Sequence, residues 1–225
     1  MIIYMYHSLT HETTSNSSFV VTKQKFEKQI NYIKKRYKIV SIVDIEKYIH
    51  EKDVAILTFD DGYLDNYSIA YQYLKQFNIP FTIFLSTKFI ENSMVLGCNE
   101  LPFLSWDMIY EMHNSNLVYF ASHTHSHLNC KEHSCKDIIE DIDKNIEQIE
   151  SHLGYKPKYF CYPKGKVNNT IFQYLHKNFD FCFKGNGVVP KEFDKLKIPR
   201  IELHEKMPNF KLTVSYNRLK NRLFQ

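Results

Sequence analysis

Two short stretches carry residues able to do chemistry, and each directly follows a strand-like run. Val54-Ala55-Ile56-Leu57-Thr58-Phe59 ends in Asp60-Asp61-Gly62, and Leu117-Val118-Tyr119-Phe120-Ala121-Ser122 ends in His123-Thr124-His125-Ser126-His127. Between them they offer carboxylates and imidazoles enough to hold one divalent metal and leave a base beside it. A metal, a water and an adjacent base are the minimum apparatus for hydrolysing an unreactive bond such as an amide. Alone, Asp-Asp-Gly is ordinary turn chemistry. At the end of a buried strand it means more, because two adjacent carboxylates repel unless a cation is near. A metal on one of them relieves the repulsion and keeps the other ionised. His123 and His127 are four residues apart, so a single helical turn would put both on one side and point His125 elsewhere. A separate zinc knuckle built from His125, Cys130, His133 and Cys135 matches no structural zinc spacing.

The elements that must position these residues alternate between strand and helix patterns, which predicts a parallel α/β architecture. Ile2 to Tyr6 reads as a first strand, and Lys23 to Arg36 as a helix with Phe26, Ile30 and Ile33 at helical spacing. Val54 to Phe59 has the continuous apolar character of a strand buried on both faces. A helix from Leu64 to Phe77 is stopped by Asn78-Ile79-Pro80, and Phe81 to Leu85 is another strand. Ser105 can cap a helix running to about His113. Lys136 to Leu153 is the clearest helix, with Ile138, Ile139, Ile142, Ile146, Ile149 and Leu153 in one stripe and Gly154 at the C-cap. Tyr159 to Tyr162, Phe181 to Phe183 and a short run before Arg200 read as strands, with a helix from Asn168 to Lys177 between the first two. His7, Asp60-Asp61, His123, Tyr162-Pro163-Lys164 and Arg200 all fall at strand C-terminal ends, where parallel barrels assemble their active sites.

The 225 residues fit one domain, and 44% hydrophobic composition with a net charge of +4 is globular. The basic residues are scattered apart from Lys34-Lys35-Arg36 and the stretch Asn217 to Arg222, so nucleic acid is not an expected partner; weak peripheral attraction to a membrane surface is all this charge supports. Five cysteines in no pattern do not form a disulfide framework. No run has the length of a membrane span and the first residues lack a signal-peptide pattern, so the expected location is cytoplasmic.

The motifs together resemble the polysaccharide deacetylase family, the NodB-homology domains of carbohydrate esterase family 4. Thr58-Phe59-Asp60-Asp61-Gly62 and His123-Thr124-His125-Ser126-His127 match the family signatures T-F-D-D-G and H-[ST]-x-x-H in full. Tyr6-His7, Leu104-Ser105-Trp106-Asp107, Phe160-Cys161-Tyr162-Pro163-Lys164-Gly165 and Ile198-Pro199-Arg200-Ile201 resemble further family segments, the third being the F-A-Y-P-Y-G motif of one subgroup. The resemblance implies a single-domain distorted (β/α) barrel over 1–225, with the motif-bearing core at about 2–203. It implies a divalent metal, usually zinc, although two imidazoles and a carboxylate also accept cobalt, nickel or iron. It implies hydrolysis of N-acetyl groups on the amino sugars of a glycan or of a nucleotide-linked or lipid-linked precursor.

Carried over residue by residue, Asp61, His123 and His127 are the metal ligands and Asp60 is the general base. The backbone N–H of Lys164 is the expected oxyanion donor. The general acid is a histidine, either His7 or His204. Tyr162, Pro163, Lys164, Trp106 and Arg200 are candidate substrate contacts, and Arg200 could instead pair with Asp60 and orient it. Two positions depart from the family pattern. Cys161 stands where the R-x-P motif has its arginine, and Lys164 replaces an aromatic, which would suit an anionic sugar. An O-acetyl esterase and a non-catalytic carbohydrate-binding relative stand as alternatives, as does the two-histidine, one-carboxylate set of non-haem iron oxygenases.

Overall fold

The computed structural model describes residues 1–12, 19–91, 101–185 and 187–207; Cys98 and the basic stretch 217–222 lie outside them. Strand β1 (Ile2–Tyr6) is followed by a small parallel pair, β2 (Ser8–Thr10) and β3 (Val20–Thr22). Helix α1 (Lys23–Lys34), β4 (Lys38–Ile39), α2 (Ile45–Tyr48) and β5 (Val54–Asp61) come next. Then come α3 (Gln72–Lys75), β6 (Phe81–Leu85), α4 (Thr87–Glu91), α5 (Trp106–Asn114), β7 (Val118–Ser122) and α6 (Cys135–Leu153). The chain continues through β8 (Tyr159–Cys161), α7 (Phe172–Asn178), β9 (Phe181–Lys184), β10 (Ile198–Pro199) and β11 (Ile201–Glu202).

All pairings in the main sheet are parallel, in the order β10-β9-β8-β7-β6-β5-β1-β11, with β4 also on β5. The two ends of that order are one chain segment. Ile198 and Pro199 pair with β9, Ile201 and Glu202 pair with β1, and Arg200 sits between. A single interrupted strand thus brings the sheet round into a nearly closed (β/α) barrel. Every residue of β5 is buried, as expected for a strand with barrel interior on one side and helices on the other. Its apolar run therefore continues unbroken into the acidic pair.

The helices follow their sequence signals. Ser134 caps α6 by accepting from the Asp137 N–H, the Ile138-Ile142-Ile146-Ile149-Leu153 stripe is buried, and Gly154 ends the helix at φ 74°. Ser105 caps α5 and Thr22 caps α1 in the same way. Two stretches differ from expectation. The span predicted as a helix from Leu64 runs as wide i→i+5 turns over Asn66–Tyr71 before the short α3. Asn66 in it donates to the His7 carbonyl at 2.9 Å, tying the turn to the strand end that carries His7. The pair β2–β3 carries no period-two signal long enough to stand out in the sequence. No helix among the described residues is long and apolar enough to cross a membrane.

Candidate active site

The C-terminal ends of the barrel strands open into a cavity of about 460 Å³, with Asp60, Asp61, His123 and His127 among its lining residues. The turn that delivers the carboxylates is tight. Asp61 has φ 72°, and the Gly62 N–H bonds back to the Asp60 carbonyl at 2.9 Å, an i→i+2 closure. Gly62 itself has φ 87°, and a Cβ there would come within 2.9 Å of Leu85 Cδ2, so only glycine fits. The turn sends the adjacent carboxylates to different partners.

Asp60 goes to Arg200. Both residues are buried, and the guanidinium bonds the carboxylate in a fork, Nη1 to Oδ1 at 2.7 Å and Nη2 to Oδ2 at 2.6 Å. Nη1 also donates to Thr58 Oγ1 at 3.0 Å, and Thr58 in turn donates to the Tyr4 carbonyl at 2.9 Å. Nη2 lies 2.8 Å from Cys161 Sγ. Burial pushes the Asp60 carboxyl up, but the guanidinium outweighs it and holds the group below the ordinary carboxylate range. The cationic partner expected at Cys161 from the family pattern thus reaches the same spot from the closing strand.

Asp61 goes to the histidines. Its Oδ1 is 3.3 Å from His123 Nε2 and 3.4 Å from His127 Nε2. His123 Nδ1 lies 2.8 Å from the Cys161 carbonyl, so the neutral ring commits its proton there and leaves a bare lone pair on Nε2. Asp61 Oδ1 is buried with no hydrogen-bond partner. Lone pairs from three groups therefore converge on one point, their ligand atoms within 4.8 Å of one another. A cation, either a proton or a metal, satisfies such a set. The same demand shows in the titration. Burial alone would lower His123, yet Cys161 and the Asp61 and Asp60 carboxylates around it raise it well above the usual imidazole value. His127 falls to about 4 through burial and then the charge of His123. The donor set thus fits a divalent metal. A second group, Asp60, His123 and Cys161, is also within ligand reach of itself. There both Asp60 oxygens are held by Arg200, and burial keeps the Cys161 thiol protonated.

The histidine stretch is not a helical turn. Thr124 has φ 62° and His127 φ 56°, and an irregular loop with two left-handed residues brings the imidazoles together. His125 does point elsewhere, its Nδ1 2.9 Å from Thr87 Oγ1. The groups able to hold a metal among the described residues include no knuckle of His125, Cys130, His133 and Cys135.

The remaining expected contacts divide. His7 lines the cavity, its Nδ1 3.9 Å from Glu202 Oε1. Lys164 lines it too, at φ 57°, whereas His204 does not. Tyr162 and Pro163 are buried, and Tyr162 packs edge-on to Phe160 at 5.1 Å, facing the core rather than the cavity. Trp106 stacks on His152 at 3.8 Å, where α5 meets α6, and is not among the lining residues. Arg200 reaches the cavity, but its donors are spent on Asp60 and Thr58 rather than offered to a ligand. Tyr63, Phe19, Lys166 and Glu202 also line the cavity. Three of them had a proximity signal, Tyr63 following Asp-Asp-Gly and Lys166 and Glu202 lying two residues beyond Lys164 and Arg200, whereas Phe19 adjoins no motif.

The sequence pattern of the polysaccharide deacetylase family matches residues 47–178, more than half of the chain and both signature motifs. The chain belongs to that family. It is therefore a polysaccharide deacetylase, a hydrolase. A poly-β-1,6-N-acetyl-D-glucosamine N-deacetylase from Staphylococcus epidermidis is 27% identical over 210 residues, covering 86% of this chain and 71% of the relative. Its counterpart from Staphylococcus aureus is 26% identical over 200 residues, covering 82% and 68%. The deacetylase PplD of Streptococcus pyogenes, solved with acetate, superposes with a TM-score of 0.82 at 21% identity, covering 95% of this chain and 96% of the other. IcaB from Ammonifex degensii gives 0.81 at 22%, covering 96% of each. At these identities the structural likeness speaks to the barrel, and the parallel ring described above is the one they share.

Proposed function

We propose that this polysaccharide deacetylase removes N-acetyl groups from a poly-N-acetylglucosamine glycan, using a divalent metal and Asp60 as base. The observation that carries the reading is the partnerless Asp61 Oδ1 facing two imidazole nitrogens, beside a carboxylate fixed by Arg200. The polymer is preferred over a nucleotide-linked or lipid-linked sugar because the two staphylococcal relatives compared above, which align over most of the chain, are named for it.

Asp61, His123 and His127 would hold the ion, most simply zinc, which would supply Lewis acidity, lowering the pKa of water and polarising an acetyl carbonyl. Asp60 is the base. Each of its oxygens has a second lone pair beyond the one facing Arg200, so it can take a proton from water while staying clamped. The peptide N–H of Lys164, in the left-handed turn after Pro163, is the donor assigned to the developing oxyanion. His7 is the acid that returns a proton to the leaving amine nitrogen, since it lines the cavity and His204 does not. Water thus gives its proton to Asp60 and its oxygen to the acetyl carbon, the C–N bond breaks, and acetate and a free amine result.

The test is acetate release from N-acetylglucosamine oligomers, nucleotide-linked and lipid-linked N-acetyl sugars and an O-acetylated glycan, each with and without a chelator. Chelator-sensitive release from the oligomers is expected. Release from the O-acetylated glycan alone would replace the amidase reading with an esterase, and release indifferent to the chelator would remove the metal.

A further inference from the structure

The loop that carries His123 and His127 is irregular and contains two left-handed residues, a conformation that strains any non-glycine residue. Thr124 and His125 are also buried, so their peptide groups need partners. Several of those partners come from one face of α6, while the Lys88 N–H of α4 donates to the His125 carbonyl at 2.9 Å. The Asp141 carboxylate accepts from the Ser126 N–H at 3.0 Å and from Ser126 Oγ at 2.7 Å. The Asp141 carbonyl accepts from the His125 N–H at 3.1 Å. One turn further on, fully buried Asn145 donates through Nδ2 to the Thr124 carbonyl at 2.8 Å and to the Leu85 carbonyl at 2.9 Å. The same Nδ2 lies 3.1 Å from Thr87 Oγ1, which meets His125 Nδ1. Every residue between the two ligand histidines is thus gripped by Asp141 or Asn145. Leu85 is also the residue whose carbonyl receives the His123 N–H, at 3.1 Å.

We propose that Asp141 and Asn145 are positioning residues for the metal set, fixing from α6 the loop shape that brings the His123 and His127 rings together. The inference rests on the metal reading of the site. An i,i+4 pair on a regular helix is a rigid ruler, and two grips one turn apart define both the path and the tilt of a three-residue span. Without them the loop has cheaper conformers that avoid left-handed Thr124 and His127. The affinity for metal then falls by the fraction of time spent away from the competent shape.

The experiment is a titration of the folded apoprotein with Zn²⁺ against a chromophoric chelator, paired with Co²⁺ absorption spectra that report coordination geometry. Asp141→Ala and Asn145→Ala are each expected to weaken Zn²⁺ roughly 10- to 100-fold, the range for lost outer-shell support of a metal site. The Co²⁺ bands should also shift, which a loss of global stability alone does not cause. Asp141→Asn keeps an acceptor oxygen for Ser126 and should recover much of the affinity. Glu140→Ala, at an exposed neighbour on α6 paired with Lys136, removes the same charge and should change nothing. If the alanine variants do not fold, Asp141→Asn against Ser126→Ala carries the comparison, with the latter weaker than the wild type. Wild-type affinity and spectra in Asp141→Ala and Asn145→Ala, or in Ser126→Ala where that pair is used, would overturn the proposal. A wild-type protein that binds no Zn²⁺ overturns it together with the metal reading. Zn²⁺ binding that depends on Asp141 without release from any glycan leaves it standing and refutes only the choice of substrate.

Discussion

Replacing Arg200 with methionine tests the logic of the site most severely. The guanidinium and the Asp60 carboxylate are 1% and 4% exposed, and their two bonds are 2.7 and 2.6 Å long. In Arg200→Met the carboxylate stays buried with its charge opposed only by the histidines and any metal. Breaking one side of a buried pair costs about 3–5 kcal/mol. For a domain of this size that is a fall in Tm of roughly 6–20 °C. The pH dependence has a definite sign. In the wild type the folded-state carboxyl is depressed, so its contribution is present at neutral pH and is lost only in acid, as pH falls through the depressed value. In the variant, burial no longer outweighed by the guanidinium raises the carboxyl, so the penalty is full at neutral pH and fades as pH falls toward about 4, the unfolded value. The gap between the two proteins should therefore be widest near pH 7 and narrow on acidification. Adding Asp60→Asn to the variant should restore part of the loss, because the uncompensated charge is gone. Thermal and urea unfolding of the four proteins of the cycle at pH 7 and pH 5 supply the numbers. A single variant melting within about 2 °C of the wild type at both pH values would refute the reasoning.

Three further outcomes are expected. Asp60→Asn should keep stoichiometric metal and lose turnover by at least about 100-fold, while His127→Ala should lose both; metal content after gel filtration and acetate release separate them. Lys164→Tyr should remove a preference for anionic over neutral glycans, read as the ratio of kcat/KM on the two substrates and its salt dependence; an unchanged ratio would take charge reading away from this side chain. Trp106→Ala should leave KM for oligomers unchanged and lower Tm by several degrees, because its ring is stacked on His152 instead of facing the cavity.

Much of this protein was legible in its sequence because its signals were local. Continuous apolar strands, the cap and isoleucine stripe of α6, and chemistry placed at strand ends all depend on neighbours a few residues away. That Asp61 meets His123 and His127 at one point followed from the family resemblance, since spacing alone left open which carboxylate of the pair joins the histidines. The shape of the histidine stretch was not legible, since an i,i+4 spacing reads as a helical turn until Asp141 and Asn145, from a helix further along the chain, are seen to impose another path. Trp106 and Tyr162 misled in a similar way. An aromatic near a motif can face substrate or core, and that choice is made by His152 and Phe160, which packing alone supplies. Arg200 was legible as a partner of Asp60 only as one option among two, because 140 residues separate them.

That separation has a consequence for how the protein acquires its structure. The segment from Ile198 to Glu202 joins the first strand to β9 and also delivers the guanidinium to Asp60. A partly folded chain lacking this last pairing would have an open sheet edge and a stranded acid in its interior at once. Both defects raise the energy of the same intermediate, so it should be scarcely populated, and loss of the closing segment should propagate through the ring instead of staying at its seam. Folding of this domain is then expected to be slow, since its decisive contacts are distant in sequence, but sharply cooperative. A chain that has seated Arg200 on Asp60 has, by the same event, closed its barrel.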